Sequence, residues 1–157
     1  MRFNSSVRGR CFYGAVRERF LRAARDFSPV KYQFEKHYTR EEAQSLVPQL
    51  RQWLERLNRL REDLQRFEKR LSGMTDQGHD VGGDTVNSWI RALADMQQIL
   101  AEFQRRQIFI KDIARGLIDF PAIINGREVF LCWESDEEQV EFWHDLETGF
   151  SGRERLH

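Results

Sequence analysis

The side chains best suited to chemistry gather in the last 40 residues: Asp119, Glu134, Glu137, Glu141, His144, Asp145, Glu147 and Arg153. Imidazole and carboxylate together suit zinc, iron or manganese. His144 with Glu147, Asp119 or Glu137 could therefore bind a divalent metal ion, as a metal-binding protein or a metal-dependent hydrolase would. Arg153 would then serve as an anion clamp through its bidentate donors. His144 and Glu147 share a face only if that stretch is helical; in a strand, same-face neighbours lie two apart. The competing reading gives His144 a structural role, bonded to backbone or a carboxylate. The acidic run 128–147 holds eight carboxylates and no Lys or Arg. The run itself reads first as a solvated loop and strand edge whose charges discourage edge-to-edge pairing. Cys132 reads as a small buried hydrophobe rather than a nucleophile, and His79 and His157 as exposed. Marked enzyme signatures are absent. Gly82-Gly83 lacks both the Lys of a phosphate loop and a preceding strand, no C-x-x-C occurs, and no serine sits in a G-x-S-x-G elbow.

These residues must be positioned by the elements before and around them. Thr39-Arg40-Glu41-Glu42 is a capping box, in which Thr39 and Glu42 satisfy each other's backbone N–H groups. A long helix is predicted from there to about Leu71. Its seam is Leu46, Leu50, Trp53, Leu57, Leu60, Leu64, Phe67 and Leu71, alternating steps of four and three. Pro48 lies inside it and should bend it near residues 43–46. Residues 72–83, with four glycines, read as a loop. A second helix is expected over 85–114 with Asp84 as N-cap. Its seam is Trp89, Leu93, Met96, Leu100, Phe103, Gln107, Ile110 and Ala114. Two helices with matching seams joined by a loop make an antiparallel αα-hairpin. Ile90, Ile99 and Ile113 fall off the seam and need a sheet or another subunit. Gln107 interrupts an apolar position where a polar residue commonly fixes register or oligomer state. Self-association into a dimer through a four-helix bundle follows, with Leu50, Leu57, Leu64, Leu93, Leu100 and Gln107 at the interface.

After the helices the period changes. Leu117–Ile124 and Arg127–Trp133 are strand-like runs separated by Asn125-Gly126, the pair best suited to a two-residue hairpin turn. That turn sets Ile124 opposite Arg127, Ala122 opposite Val129, Phe120 opposite Leu131 and Ile118 opposite Trp133 on one apolar face. Asp119 faces Cys132 and Pro121 faces Phe130 on the other. Pro121 argues that the first run is an edge. A third run, 139–144, closes through a turn at 135–138 and brings Val140 and Phe142 to the apolar face. This register puts Asp119 and His144 on opposite faces; a connection of odd length would reunite them. Residues 31–38 alternate like a strand and could join beside the third run. The fold class is thus α+β: a long helical hairpin packed on a three-stranded antiparallel meander, to which one N-terminal strand could add.

A chain of 157 residues suits one core. Its 25 basic and 25 acidic groups cancel, but unevenly. Residues 1–31 carry eight basic and two acidic side chains, a net +6, and the remainder 17 and 23, a net −6. We therefore read 1–31 as a basic extension, with a short amphipathic helix at 15–27, and 32–157 as the single domain. The arm, with Phe3, Phe12 and Tyr13, could touch phosphate backbones. The acidic remainder and the absence of a nucleic-acid motif weigh against that partner. No apolar run is long enough to span a bilayer. No apolar h-region follows the first charges, and Glu18 and Asp26 count against an organelle presequence. Two cysteines, Cys11 and Cys132, make no disulfide framework and fit a reducing, cytoplasmic setting.

Several blocks together resemble a known family. They are Gly116-Leu117-Ile118-Asp119-Phe120-Pro121-Ala122, Leu131-Cys132-Trp133, Trp143-His144 and Gly149-Phe150-Ser151-Gly152-Arg153. In that order, behind the opening FEKHYTREEAQSLVPQLR, they resemble the bacterial domain of unknown function 2203 over about residues 32–156. Where that pattern has Gly-Glu before the third strand, this chain has Asp136-Glu137, without the glycine, and a differently built turn is expected there. The resemblance implies a small cytosolic protein of unassigned activity and brings no catalytic residues with it. The arm lies outside it.

Overall fold

The computed structural model describes residues 31–76 and 83–156. The basic arm with its expected helix, His79 and His157 lie outside the described residues. From Gln33 onward the elements are α1 (Arg40–Asp76), α2 (Asp84–Arg105), β1 (Phe109–Asp112), β2 (Leu117–Ile124), β3 (Arg127–Trp133), β4 (Phe142–Asp145) and β5 (Glu154–Arg155). The five strands form one antiparallel sheet in sequence order. The α+β class and the helical hairpin are as expected; the sheet has two strands more than the predicted meander.

The capping box forms. Glu42 Oε2 accepts the Thr39 N–H at 2.9 Å and Thr39 Oγ1 accepts the Glu42 N–H at 3.1 Å. The helix then continues through Pro48 and past the expected stop at Leu71 to Asp76. Met74, three positions after Leu71, prolongs the apolar stripe and is half-buried. Ala43, Val47 and Leu54 are buried beside the seam residues Leu50, Leu57, Leu60 and Leu64. The stripe is broad because this part of the helix is covered by the sheet as well as by α2.

The second helix stops at Arg105, well short of residue 114. Gln107 adopts φ 54°, the left-handed region. Its N–H donates to Gln104 O and the Ile108 N–H to Phe103 O, each at 2.9 Å. This is a Schellman ending, sealed by the burial of Ile108 against the helix's last core residue, Phe103. Gln107 is therefore no seam residue; its Oε1 accepts the Lys36 N–H at 2.8 Å. Nor does Asp84 cap the helix: Gly83, at φ 86°, precedes it with no side-chain cap.

Every predicted pair between β2 and β3 is present, from Ile124 with Arg127 to Ile118 with Trp133. Asn125 and Gly126 take φ values of 51° and 76°. β2 is not simply an edge, because β1 pairs with it from Leu117 to Asp119. That partner ends before Pro121, whose carbonyl instead accepts the Tyr38 N–H at 2.7 Å. The proline so sits where no ladder donor is missed.

No strand forms over 31–38. The segment from Gln33 is an irregular strap at the β2 side of the sheet, far in sequence from its anchor. Glu128 accepts the N–H groups of Gln33 and Phe34, at 2.6 and 2.9 Å, and bonds His37 Nε2 at 2.8 Å. Alternation of Tyr32, Phe34 and Lys36 imitates a strand, but the backbone donors go to a side chain. Burial alone would raise the Glu128 carboxyl, yet these donors overcome it and hold it below its ordinary value. A carboxylate depressed in the folded state contributes stability above its unfolded value, lost as pH falls through the folded one. Amide exchange should accordingly show protection of Gln33 and Phe34 at neutral pH that disappears on acidification below the usual carboxylate range. Protection unchanged by acid would show that Glu128 does not hold the strap.

β4 begins at Phe142, not at 139, and its register is shifted by one. Leu131 pairs with Trp143, Cys132 with Phe142 and Phe130 with His144. Trp143, not Phe142, joins the helix-facing side, because a one-residue slip moves every side chain to the other face. Val140 is still buried, but ahead of the strand, with its N–H taken by Gln44 Oε1 and its carbonyl by Arg40 Nε. The acidic loop is folded upon itself: Glu137 Oε2 accepts the Glu134 N–H and Glu137 O accepts Trp133 Nε1–H, each at 2.9 Å.

The main core lies between the hairpin and the inner sheet face, where Ile118, Phe120, Val129, Leu131 and Trp133 meet Leu50, Leu57 and Phe103. Gly116, at the turn into β2, has φ 69°, and a Cβ there would stand 2.6 Å from Ser135 Cβ. Gly126→Ala, in open space, should cost the ~1–2 kcal/mol of a left-handed backbone. Gly116→Ala should cost clearly more, read as a larger fall in urea midpoint. Equal costs would mean the Ser135 contact yields freely.

Candidate functional site

The strand register converges three reactive side chains on the outer face of the sheet. Asp119 on β2 lies opposite Cys132 on β3. His144 on β4 is opposite Phe130, two residues from Cys132 on the same face. All three are buried, at 1%, 0% and 2% exposure for Asp119, Cys132 and His144. His144 Nε2 is 3.2 Å from Asp119 Oδ2, and its Nδ1 is 2.7 Å from the carbonyl of Asp145. A carbonyl only accepts, so Nδ1 carries a proton. Nε2 is the ring nitrogen turned to Asp119 Oδ2. Asp119 Oδ1 is buried with no hydrogen-bond partner.

Aromatic rings and one lysine form the roof. Phe130 packs on His144 at 5.7 Å between ring centres, and Phe34 from the strap packs on Phe130 at 5.3 Å. Lys111 on β1 brings its Nζ to 3.6 Å from Asp119 Oδ2 and 5.0 Å from the Phe130 ring centre. Burial, reinforced by the Asp119 charge, pushes the Cys132 thiol far up. A nucleophilic cysteine needs the reverse shift. Cys132 is thus not activated for attack, as its position inside the sheet suggested.

Of the residues singled out by sequence, Asp119 and His144 are brought together, against the expected register. Glu137 and Glu147 do not join them. Glu137 bonds Arg153 and the Glu134 N–H, and Glu147 is exposed on the turn after β4. Arg153, expected as an anion clamp, is engaged by Glu137 and Glu134 and lies over the rings of Phe142 and Phe150 at 4.2 and 4.7 Å. It serves as a rivet between the acidic loop and the C-terminal turn. Sequence reasoning missed Cys132 as a member of the cluster, although the hairpin register already faced it with Asp119. It missed Lys111 because that residue was assigned to a helix.

The hairpin is the other candidate region. Leu50 and Leu57 are fully buried within this chain, and Leu64 is 8% exposed. Leu93 and Leu100 are only partly covered, with Trp89 and Met96 on the same stripe. No helix among the described residues is long and apolar enough to cross a membrane.

A helical hairpin laid on a five-stranded meander, with a buried Asp–Cys–His cluster on the far face, defines a small α+β protein. The chain belongs to the family described as an uncharacterized conserved protein, DUF2203, whose model matches residues 36–156. No curated protein and no solved structure matches it significantly.

Proposed function

We propose that this protein is an association module whose helical hairpin pairs with a second copy of the chain. The observation that carries this reading is the mismatch between hairpin and sheet. Hydrogen bonds from α1 to the sheet and its loops run from Arg40, through Arg51, to Asn58, which bonds the Ile113 carbonyl. The helix then continues 18 residues to Asp76. Over that reach α2 is its partner, and α2 keeps a half-covered stripe of Trp89, Leu93, Met96 and Leu100. Ile90 beside it is 52% exposed. Two helices alone hide one stripe each; a second hairpin would cover the rest as a four-helix bundle.

Light scattering should give twice the 18.8 kDa chain mass at micromolar concentration. Ile90→Asp should shift the mass to one chain while leaving the helical content unchanged. A monomer across the whole micromolar range would end this reading.

A further inference from the structure

We propose that Asp119, Cys132 and His144 form a buried site for one divalent transition-metal ion, with zinc the best fit to the donors. Among the described residues, this is the group of His, Cys and acidic side chains that converges. One ligand atom from each lies within 4.8 Å of the others. Bonds of about 2.0 Å to nitrogen and oxygen and 2.3 Å to sulfur place tetrahedral ligands about 3.3–3.8 Å apart. A modest contraction therefore closes the set around an ion. Three adjacent strands supply the ligands, so the backbone is already in place.

Two features of the cluster point to a cation rather than to a self-contained polar core. Asp119 Oδ1 is buried without a partner, a costly state for a carboxylate oxygen. The Nδ1–H of His144 is fixed on a backbone carbonyl, the outer bond that commonly orients a metal-ligating imidazole and leaves Nε2 to the metal. The Asp119–His144 contact alone leaves Oδ1 without a partner, and the Cys132 thiol, which shares a hydrogen bond with Asp119, would give up its proton when the ion binds. One carboxylate, one thiolate and one neutral imidazole also balance a double positive charge. Calcium and magnesium prefer oxygen alone, so the thiolate and imidazole select zinc or a neighbouring metal. The second Asp119 oxygen, or a water, would complete four ligands. Burial makes the site a stabilising one. Lys111, whose side chain is 45% exposed, stands where its ammonium competes with the ion for Asp119 and can swing to solvent.

The test uses the full chain, without a histidine tag, carrying Cys11→Ser so that Cys132 is the sole thiol. Cobalt(II) is added and the near-ultraviolet and visible spectra followed. The expected result is one equivalent of cobalt, a thiolate-to-metal charge-transfer band and intense tetrahedral transitions, all displaced by zinc. Zinc should also raise Tm. Cys132→Ser should abolish the band and weaken zinc binding by at least the ~10–100-fold that loss of an outer-shell partner alone costs. Lys111→Met, a substitution at a half-exposed position, should tighten it. Absence of the band in the Cys11→Ser chain, or zinc affinity unaltered by Cys132→Ser, would overturn the site. The cobalt spectrum decides even if Cys132→Ser fails to fold.

Discussion

His144→Leu is expected to lower the stability of the chelator-treated protein by about 3–5 kcal/mol, the scale for stripping a buried carboxylate of its hydrogen-bonded partner. The partner left behind is Asp119, 1% exposed and already missing a bond at Oδ1. Lys111 Nζ, at 3.6 Å and 45% exposed, stays as its charged neighbour and offsets only part of the loss. The double variant Asp119→Leu, His144→Leu removes both polar groups and should cost much less than the two single changes added together. Burial of apolar side chains then replaces a pair that gains little over its own desolvation. Urea denaturation of the four proteins in a double-mutant cycle measures the coupling. Simple additivity would mean that the two side chains do not act as a pair.

Trp133→Ala carries the second large effect, about 3–5 kcal/mol for emptying a fully buried Trp site. The indole is among the largest wholly buried side chains, on the inner face beside Leu131 and Val140. Its Nε1–H also holds the Glu137 carbonyl, inside the loop that leads to β4. Trp133→Phe keeps most of the ring and loses that bond, so it should cost about 1 kcal/mol. Matching falls in urea midpoint for the two variants would assign the anchoring to the hydrogen bond and not to the ring.

Local signals with a mechanism were legible. Asn125-Gly126 fixed seven cross-strand pairs, because a two-residue turn leaves no freedom of register. Thr39 and Glu42 marked the start of α1 to the residue. Where the sequence misled, two patterns overlapped or a distant group intervened. The stretch Gln107–Ala114 continues a helical period, but Ile108 and Ile110 also alternate as a strand does. The left-handed turn at Gln107, a residue with no special liking for it, decided between them. The strap reads as a strand because its donors were assigned to a neighbour in the sheet, whereas Glu128, 95 residues away, receives them. The cluster was half-visible for a similar reason. Asp119 faced Cys132 from the turn alone, but the side taken by His144 depends on one residue of loop length between β3 and β4. That loop is shaped by Glu134 and Glu137 bonding each other's backbone, which no periodicity reports.

The strap also bears on how the chain is made. Synthesis delivers the hairpin before the sheet that covers it, so α1 and α2 leave the ribosome with Leu50, Leu57 and Phe103 uncovered. Gln33 and Phe34 cannot settle until Glu128 has emerged. Docking of the earliest described segment is thereby a late event, and contacts of such long sequence separation slow folding. Until then the growing chain presents a sticky two-helix intermediate, the kind of species on which chaperones act.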